Sequence, residues 1–119
     1  MATAVKRKLS GSTDGRGIKI VTVSTPGTLI HTAVSGTTLG MFDELWLYAY
    51  NSDASARLLT VEFGGVSVPD DNIKVTISPL AGLMLVVPGL VLQNASVVRA
   101  FSAVASGTVI YGFVNSITD

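Results

Sequence analysis

The sequence contains few side chains that could do acid–base or nucleophilic chemistry. It has one histidine, His31, no cysteine and eight carboxylates. His31 lies in an alternating segment between Leu29 and Ala33, and nothing at a useful spacing supplies the partner and orienting group that a catalytic base needs. We therefore expect His31 to be structural and the protein not to be an enzyme.

Four of the carboxylates occur as the adjacent pairs Asp43-Glu44 and Asp70-Asp71. Neighbouring side chains on a strand point to opposite faces, so neither pair converges for acid–base work. The stretch after Pro69 has oxygen atoms that could hold calcium, but it lacks the spaced ligands and bidentate glutamate of a calcium loop, and we expect a turn there. Gly15-Arg16-Gly17 is too short for a phosphate-binding motif. The sequence predicts no metal and no cofactor.

Basic residues are concentrated near the start of the sequence: four of the eight are Lys6, Arg7, Lys8 and Arg16. With Asp14 they give residues 1–17 a net charge of +3, which leaves −3 on the remainder of a chain of zero formal net charge. Such a cluster could contact nucleic acid, but no aromatic residues are interleaved with it and the body is acidic. We expect contact with an acidic protein surface and no nucleic-acid partner.

The apolar run from Asp43 to Asn51 predicts a central β-strand, around which the other strands would be arranged. Leu45, Leu47 and Ala49 would share one face. The other face carries aromatic residues where a solvated sheet would be polar: Trp46, Tyr48 and Tyr50. An exposed aromatic row promotes aggregation, so we expect these three residues to form an oligomer interface. The same row could stack on sugar rings, which leaves a glycan ligand as an alternative.

Short apolar or alternating segments separated by turns account for the remaining sequence: 18–23, 28–34, 57–63, 66–68, 73–77, 83–87, 90–92, 96–102 and 108–115. With about eight or nine strands and no capped helical periodicity, an all-β fold is expected, an antiparallel β-sandwich of jelly-roll type. An OB-fold barrel is the alternative. Residues 57–63 should return beside the central strand as a hairpin, with Thr60 and Glu62 exposed. Residues 83–87 should be covered on both faces.

The length of 119 residues fits one domain. Residues 1–17 are expected to be an extended basic N-terminal arm with a turn at Asp14-Gly15, free to order on a partner, and residues 18–119 a single β-sandwich domain. Hydrophobic residues make up 48% and charged residues only 13%, which predicts apolar surface shared with partners. No apolar run is long enough for a membrane helix, no leader is apparent, and the absence of cysteine fits a reducing cytoplasm.

Four short sequence segments resemble small virion proteins of tailed bacteriophages that decorate or cement the capsid: Gly27–Ala33, Asp43–Ala49, Leu59–Gly64 and Val86–Gly89. The resemblance runs from about Gly17 to Asn115. It implies a β-sandwich or jelly-roll subunit, usually a homotrimer, which is made in the host cytoplasm and braces neighbouring major capsid protein subunits on the outer capsid surface.

The resemblance supplies no residue motif, so the sites come from the patterns above. Lys6, Arg7, Lys8 and Arg16 are the expected capsid contacts, and the aromatic row is the expected oligomer interface. The alternative function is a virion surface or fibre domain that binds host glycans through that aromatic patch.

Overall fold

The structure, a computed structural model that describes residues 2–119, contains nine β-strands in two antiparallel sheets. The strands are β1 Thr3–Lys8, β2 Ile18–Lys19, β3 Thr28–Thr32, β4 Met41–Asn51, β5 Arg57–Phe63, β6 Asn72–Ile77, β7 Met84–Leu92, β8 Val97–Ser102 and β9 Thr108–Thr118. In sheet A the order is β1-β9-β4-β7, with β2 also paired to β9, and in sheet B it is β3-β8-β5-β6. The predicted all-β sandwich is confirmed.

The strand pairs are nested along the chain. β5 pairs with β6, β4 with β7, β3 with β8 and β2 with β9. These successive pairs alternate between sheet B and sheet A, so the chain behaves as one long hairpin wrapped around a single core. This is the strand order of a jelly roll, in which two Greek keys close around each other.

β4 is an interior strand of sheet A, as the sequence predicts. Its residues Leu45, Leu47 and Ala49 are fully buried, whereas the alternate residues on the other side stay partly exposed. The buried side belongs to one core cluster that also takes side chains from sheet B, including Ile30, Leu59, Val61, Ile77 and Val98. The alternation along β4 therefore separates a core face from an outer face.

The expected hairpin between the central strand and residues 57–63 is wrong. β4 and β5 lie in different sheets, so residues 52–56 cross from sheet A to sheet B. Asn51 supports this crossing, because its side-chain amide donates to the carbonyl oxygens of Ser55 at 2.8 Å and Ile77 at 3.0 Å. A short polar link has the same appearance in sequence whether it turns within a sheet or crosses between two.

Thr60 and Glu62, expected to be exposed, are both buried. The segment before β3 covers Glu62, whose carboxylate accepts hydrogen bonds from the Gly27 N–H at 2.7 Å and the Thr25 hydroxyl at 2.5 Å. Polar alternation on β5 therefore reflects a hydrogen-bonded covering loop rather than solvent.

Residues 83–87 are not covered on both faces, and β7 is an edge strand of sheet A. Leu83 and Leu85 are exposed. The strand also continues through Pro88-Gly89, with irregular register against β4 on either side of Trp46 and Leu47. An edge strand tolerates proline because it leaves one row of backbone groups without partners.

The N-terminal segment is extended and basic, as predicted, but it is not a free arm over residues 2–17. β1 pairs with the last residues of β9, Leu9 is buried in the core, and the Gly11 N–H donates to the Ile30 carbonyl at 2.9 Å. The predicted Asp14-Gly15 turn is present. Strand pairing uses backbone hydrogen bonds, so an edge strand exposed on both sides needs no apolar periodicity. Met1 lies outside the described residues.

Candidate binding face

The outer face of sheet A, called here the aromatic face, gathers six of the eight aromatic side chains of the chain. β4 and β9 pair in continuous register, so their outward residues lie side by side, with Trp46 opposite Phe113 and Tyr48 opposite Tyr111. All six remain partly exposed, and Tyr111 is 37% exposed. The set is Phe42, Trp46, Tyr48, Tyr50, Tyr111 and Phe113.

Three lysines border the aromatic face, because β1 and β2 both pair with β9. Lys6 lies opposite Asn115, Lys8 opposite Phe113 and Lys19 opposite Val109. All three lysines are exposed, and none forms an ion pair with a carboxylate of residues 2–119. The Lys6 ammonium is 4.4 Å from the centroid of the Phe113 ring, a cation–π contact. The lysine border and the aromatic rings therefore form one surface.

Glu44 lies on the aromatic face between Phe42 and Trp46 of β4. Its Oε1 accepts hydrogen bonds from the Trp46 indole N–H at 2.8 Å and from the Asn115 side-chain amide at 3.0 Å. These bonds, with Trp46 the larger cause, lower the pKa of Glu44 below its ordinary value of 4.5. The indole is held beside Phe113, with ring centroids 6.5 Å apart and planes 15° apart.

The Glu44 charge should make a small contribution to stability that depends on pH. Because its pKa is lower in the folded chain, the contribution is present above about pH 4.5 and is lost as the pH falls through the folded-state pKa. Glu44→Gln keeps an acceptor for the indole but carries no charge. Between about pH 7 and about pH 3 we expect the Tm of the wild type to fall more than that of Glu44→Gln. Circular dichroism measures both, and equal falls would contradict the assignment.

A groove of about 500 Å³ lies at the edge of the aromatic face, beside β9. It is lined by Thr13, Arg16, Gly17, Val109 and Tyr111. A side chain at position 17 would collide with the wall of the groove, since a Cβ there would lie 2.5 Å from Val109 Cγ1 and 2.8 Å from the Tyr111 ring. A guanidinium beside a tyrosine ring suits a carboxylate that is attached to an apolar group.

The residues predicted for two separate sites lie largely on one surface. Lys6 and Lys8 share the aromatic face with the row predicted as an oligomer interface, and Arg16 lines the adjoining groove. Arg7 does not belong to this face. It lies opposite Val114, which is fully buried, so its side chain leaves β1 on the other side.

His31 has the partners that the sequence analysis did not find. Its Nε2 lies 2.8 Å from Asp43 Oδ2, and its Nδ1 accepts the Ser10 backbone N–H at 3.0 Å, which places the ring proton on Nε2. Asp43 also accepts from the Val34 N–H at 3.1 Å and the Ser116 hydroxyl at 2.7 Å. His31 is 5% exposed and Asp43 3%.

This polar cluster is not arranged for nucleophilic catalysis. Both ring nitrogens of His31 are occupied, and no hydroxyl of residues 2–119 hydrogen-bonds to the ring. Ser116 donates to the carboxylate, and the Ser10 hydroxyl accepts from the Thr32 N–H at 2.7 Å. The bonds instead join β3, β4, β9 and the segment after β1, which is a structural role.

The carboxylate pairs do not form a metal centre in the part of the chain that the structure describes. Asp43 points into the sandwich and Glu44 out of it, as predicted. Asp71 closes the expected turn after Pro69, and its side chain accepts the Ser67 N–H at 3.0 Å. Over residues 2–119 no three histidine, cysteine, aspartate or glutamate side chains come together as candidate ligands. The same residues include no helix long and apolar enough to cross a membrane.

Comparisons with known proteins identified no relative of this chain. No protein-family model matches the chain, and no curated protein and no solved structure matches it. The fold therefore rests on the strand pairing alone, and the molecule is best defined as a jelly-roll sandwich with a lysine-bordered aromatic face.

Proposed function

We propose that the protein is a structural virion protein, a homotrimer on the outer capsid surface that stabilises the capsid by bridging neighbouring major capsid protein subunits. The observation that carries the proposal is the aromatic face, a broad, partly exposed apolar surface on a small jelly roll. Contiguous apolar patches on soluble domains commonly mark sites of association. The resemblance of four short sequence segments to capsid decoration proteins supports the same proposal.

Apolar exposure elsewhere on the molecule also supports a bridging role. Outside the aromatic face, large hydrophobic side chains are exposed on loops, with Leu39 at 93%, Val68 at 72% and Leu80 at 67%. A protein that braces neighbouring subunits needs more than one contact surface. Several separate apolar sites fit that requirement better than a single ligand pocket does.

The proposal is tested by counting copies of the protein in purified virions. We expect quantitative mass spectrometry to find a copy number comparable with that of the major capsid protein. Electron cryo-microscopy should place three copies around a common axis on the outer shell. Absence from the particles would contradict the proposal.

A host-glycan binding domain is the second candidate, because Trp46, Tyr48 and Tyr50 remain partly exposed on one face. Such a domain would be present in few copies at the end of a fibre or appendage. A glycan array probed with the intact protein would give binding that Trp46→Ala abolishes. A high copy number on the shell without array binding would exclude this candidate.

A further inference from the structure

We infer that the aromatic face and its lysine border dock onto an acidic protein surface. The inference deepens the proposed function and rests on it for the identity of the partner, the major capsid protein. The oligomer interface and the capsid contact were expected on separate surfaces, and one surface now replaces them. Lys6, Lys8 and Lys19 belong to this contact, and Arg7 does not.

The net charge of the face favours an acidic partner. Three lysines against one glutamate give the face a net charge of +2, which leaves −2 on the remainder of a chain with zero formal net charge. The lysines have no carboxylate partner among residues 2–119, whereas the Glu44 carboxylate already accepts two hydrogen bonds. An incoming carboxylate would meet unpaired ammonium groups along one border.

The arrangement of charged and apolar groups on the face also favours a protein partner. The lysines occupy the β1 and β2 edge, the aromatic rings the centre, and Leu85, Pro88 and Val91 of β7 the opposite side. A matching surface would carry carboxylates along one side and apolar groups beside them. The Arg16 groove offers a further place for a carboxylate at the lysine edge.

A second copy of the same face fits less well. In a twofold contact each face meets itself, so six lysines would share an interface with two glutamates. Those glutamates are the copies of Glu44, each already bonded to Trp46 and Asn115. Like charges brought together without compensation oppose association.

A single-stranded nucleic acid also fits less well, although phosphates would satisfy the lysines. Base stacking requires open ring faces. Phe113 has the Lys6 ammonium over its ring, so this ring is not an open platform. The packed rings suit apolar side chains of a protein partner better than bases.

The test uses charge reversal on adjacent residues of β1. Lys6→Glu/Lys8→Glu changes two side chains on the face, and Arg7→Glu changes the residue between them on the other side of the strand. All three positions are exposed, and unchanged circular dichroism and Tm would establish that the variants fold. Each full-length variant is mixed with capsid shells that lack the protein, and bound protein is measured by co-sedimentation.

We expect Lys6→Glu/Lys8→Glu to weaken binding at least about tenfold and Arg7→Glu to change it by less than about twofold. Trp46→Ala, which removes the largest ring at the centre, should weaken binding by about thirtyfold. Higher salt should reduce binding of the wild type more than that of the double variant.

Different results would overturn different parts of the proposal. Equal effects of Arg7→Glu and the double variant would refute the assignment of the face. A change in oligomeric mass on native mass spectrometry, with shell binding intact, would make the face a contact between copies. Tighter binding to a thymidine oligonucleotide than to shells would make it a nucleic-acid site. Failure of the wild type to bind shells at all, together with its absence from virions, would instead refute the proposed function.

Discussion

Asp43→Ala should lower the free energy of unfolding by about 3 to 5 kcal/mol, because it removes the shared acceptor of a buried cluster. Three donors lose their partner in this variant: the His31 Nε2–H, the Val34 N–H and the Ser116 hydroxyl. The site is nearly closed to solvent, so water cannot readily replace the carboxylate. Each buried donor left without an acceptor costs about 1 to 3 kcal/mol.

Asp53→Ala is the matched control for this substitution. Asp53 also accepts a hydrogen bond from a side-chain nitrogen, Arg57 Nε at 2.9 Å, but both side chains are more than a quarter exposed. A partly exposed ion pair contributes about 0 to 1 kcal/mol. Urea denaturation of the two variants under the same conditions gives the comparison, and similar losses would refute the importance of the buried cluster.

A double-mutant cycle with His31→Ala measures the coupling inside the cluster. We expect the double variant to lose less stability than the sum of the two single losses, because each single substitution already breaks the 2.8 Å bond. Strict additivity would show that His31 and Asp43 stabilise the fold independently.

The inward position of Asp43 could be predicted from the sequence, but its contact with His31 could not. Alternation along β4 placed Asp43 on the same side as Leu45 and Leu47, and a carboxylate among buried residues requires a hydrogen-bond donor. The only histidine of the chain was the natural partner to consider. It was missed because β3 and β4 lie in different sheets, so sequence spacing gave no indication that their side chains meet.

The composition of the aromatic face was likewise only partly predictable. The row on β4 could be read from period-two alternation within one strand. Its lysines come from β1 and β2 and two of its rings from β9, and only the pairing of β1 with β9 brings Lys6 to Phe113. Contacts between the two ends of a chain have no local signal, which is why the basic segment was expected to stand apart from the aromatic row.

Leu47→Ala should lower the free energy of unfolding by about 3 to 5 kcal/mol, the upper part of the range for buried leucines. Leu47 is fully buried in the interior strand β4 and lies opposite Gly112 of β9. Gly112 has no side chain, and a Cβ there would clash with the Trp46 carbonyl oxygen. The space next to Leu47 therefore cannot be refilled from position 112, so the cavity left by the substitution should persist.

The control for this variant is Leu58→Ala, which removes the same atoms from a position on β5 that is 45% exposed. It should cost less than about 1 kcal/mol, since little buried area is lost and no closed cavity forms. Urea denaturation of both variants, followed by circular dichroism, gives the difference directly. If Leu47→Ala cost no more than Leu58→Ala, the face of β4 assigned to the core would be wrong, and the outward position of Trp46 and Tyr48 would have to be reassigned with it.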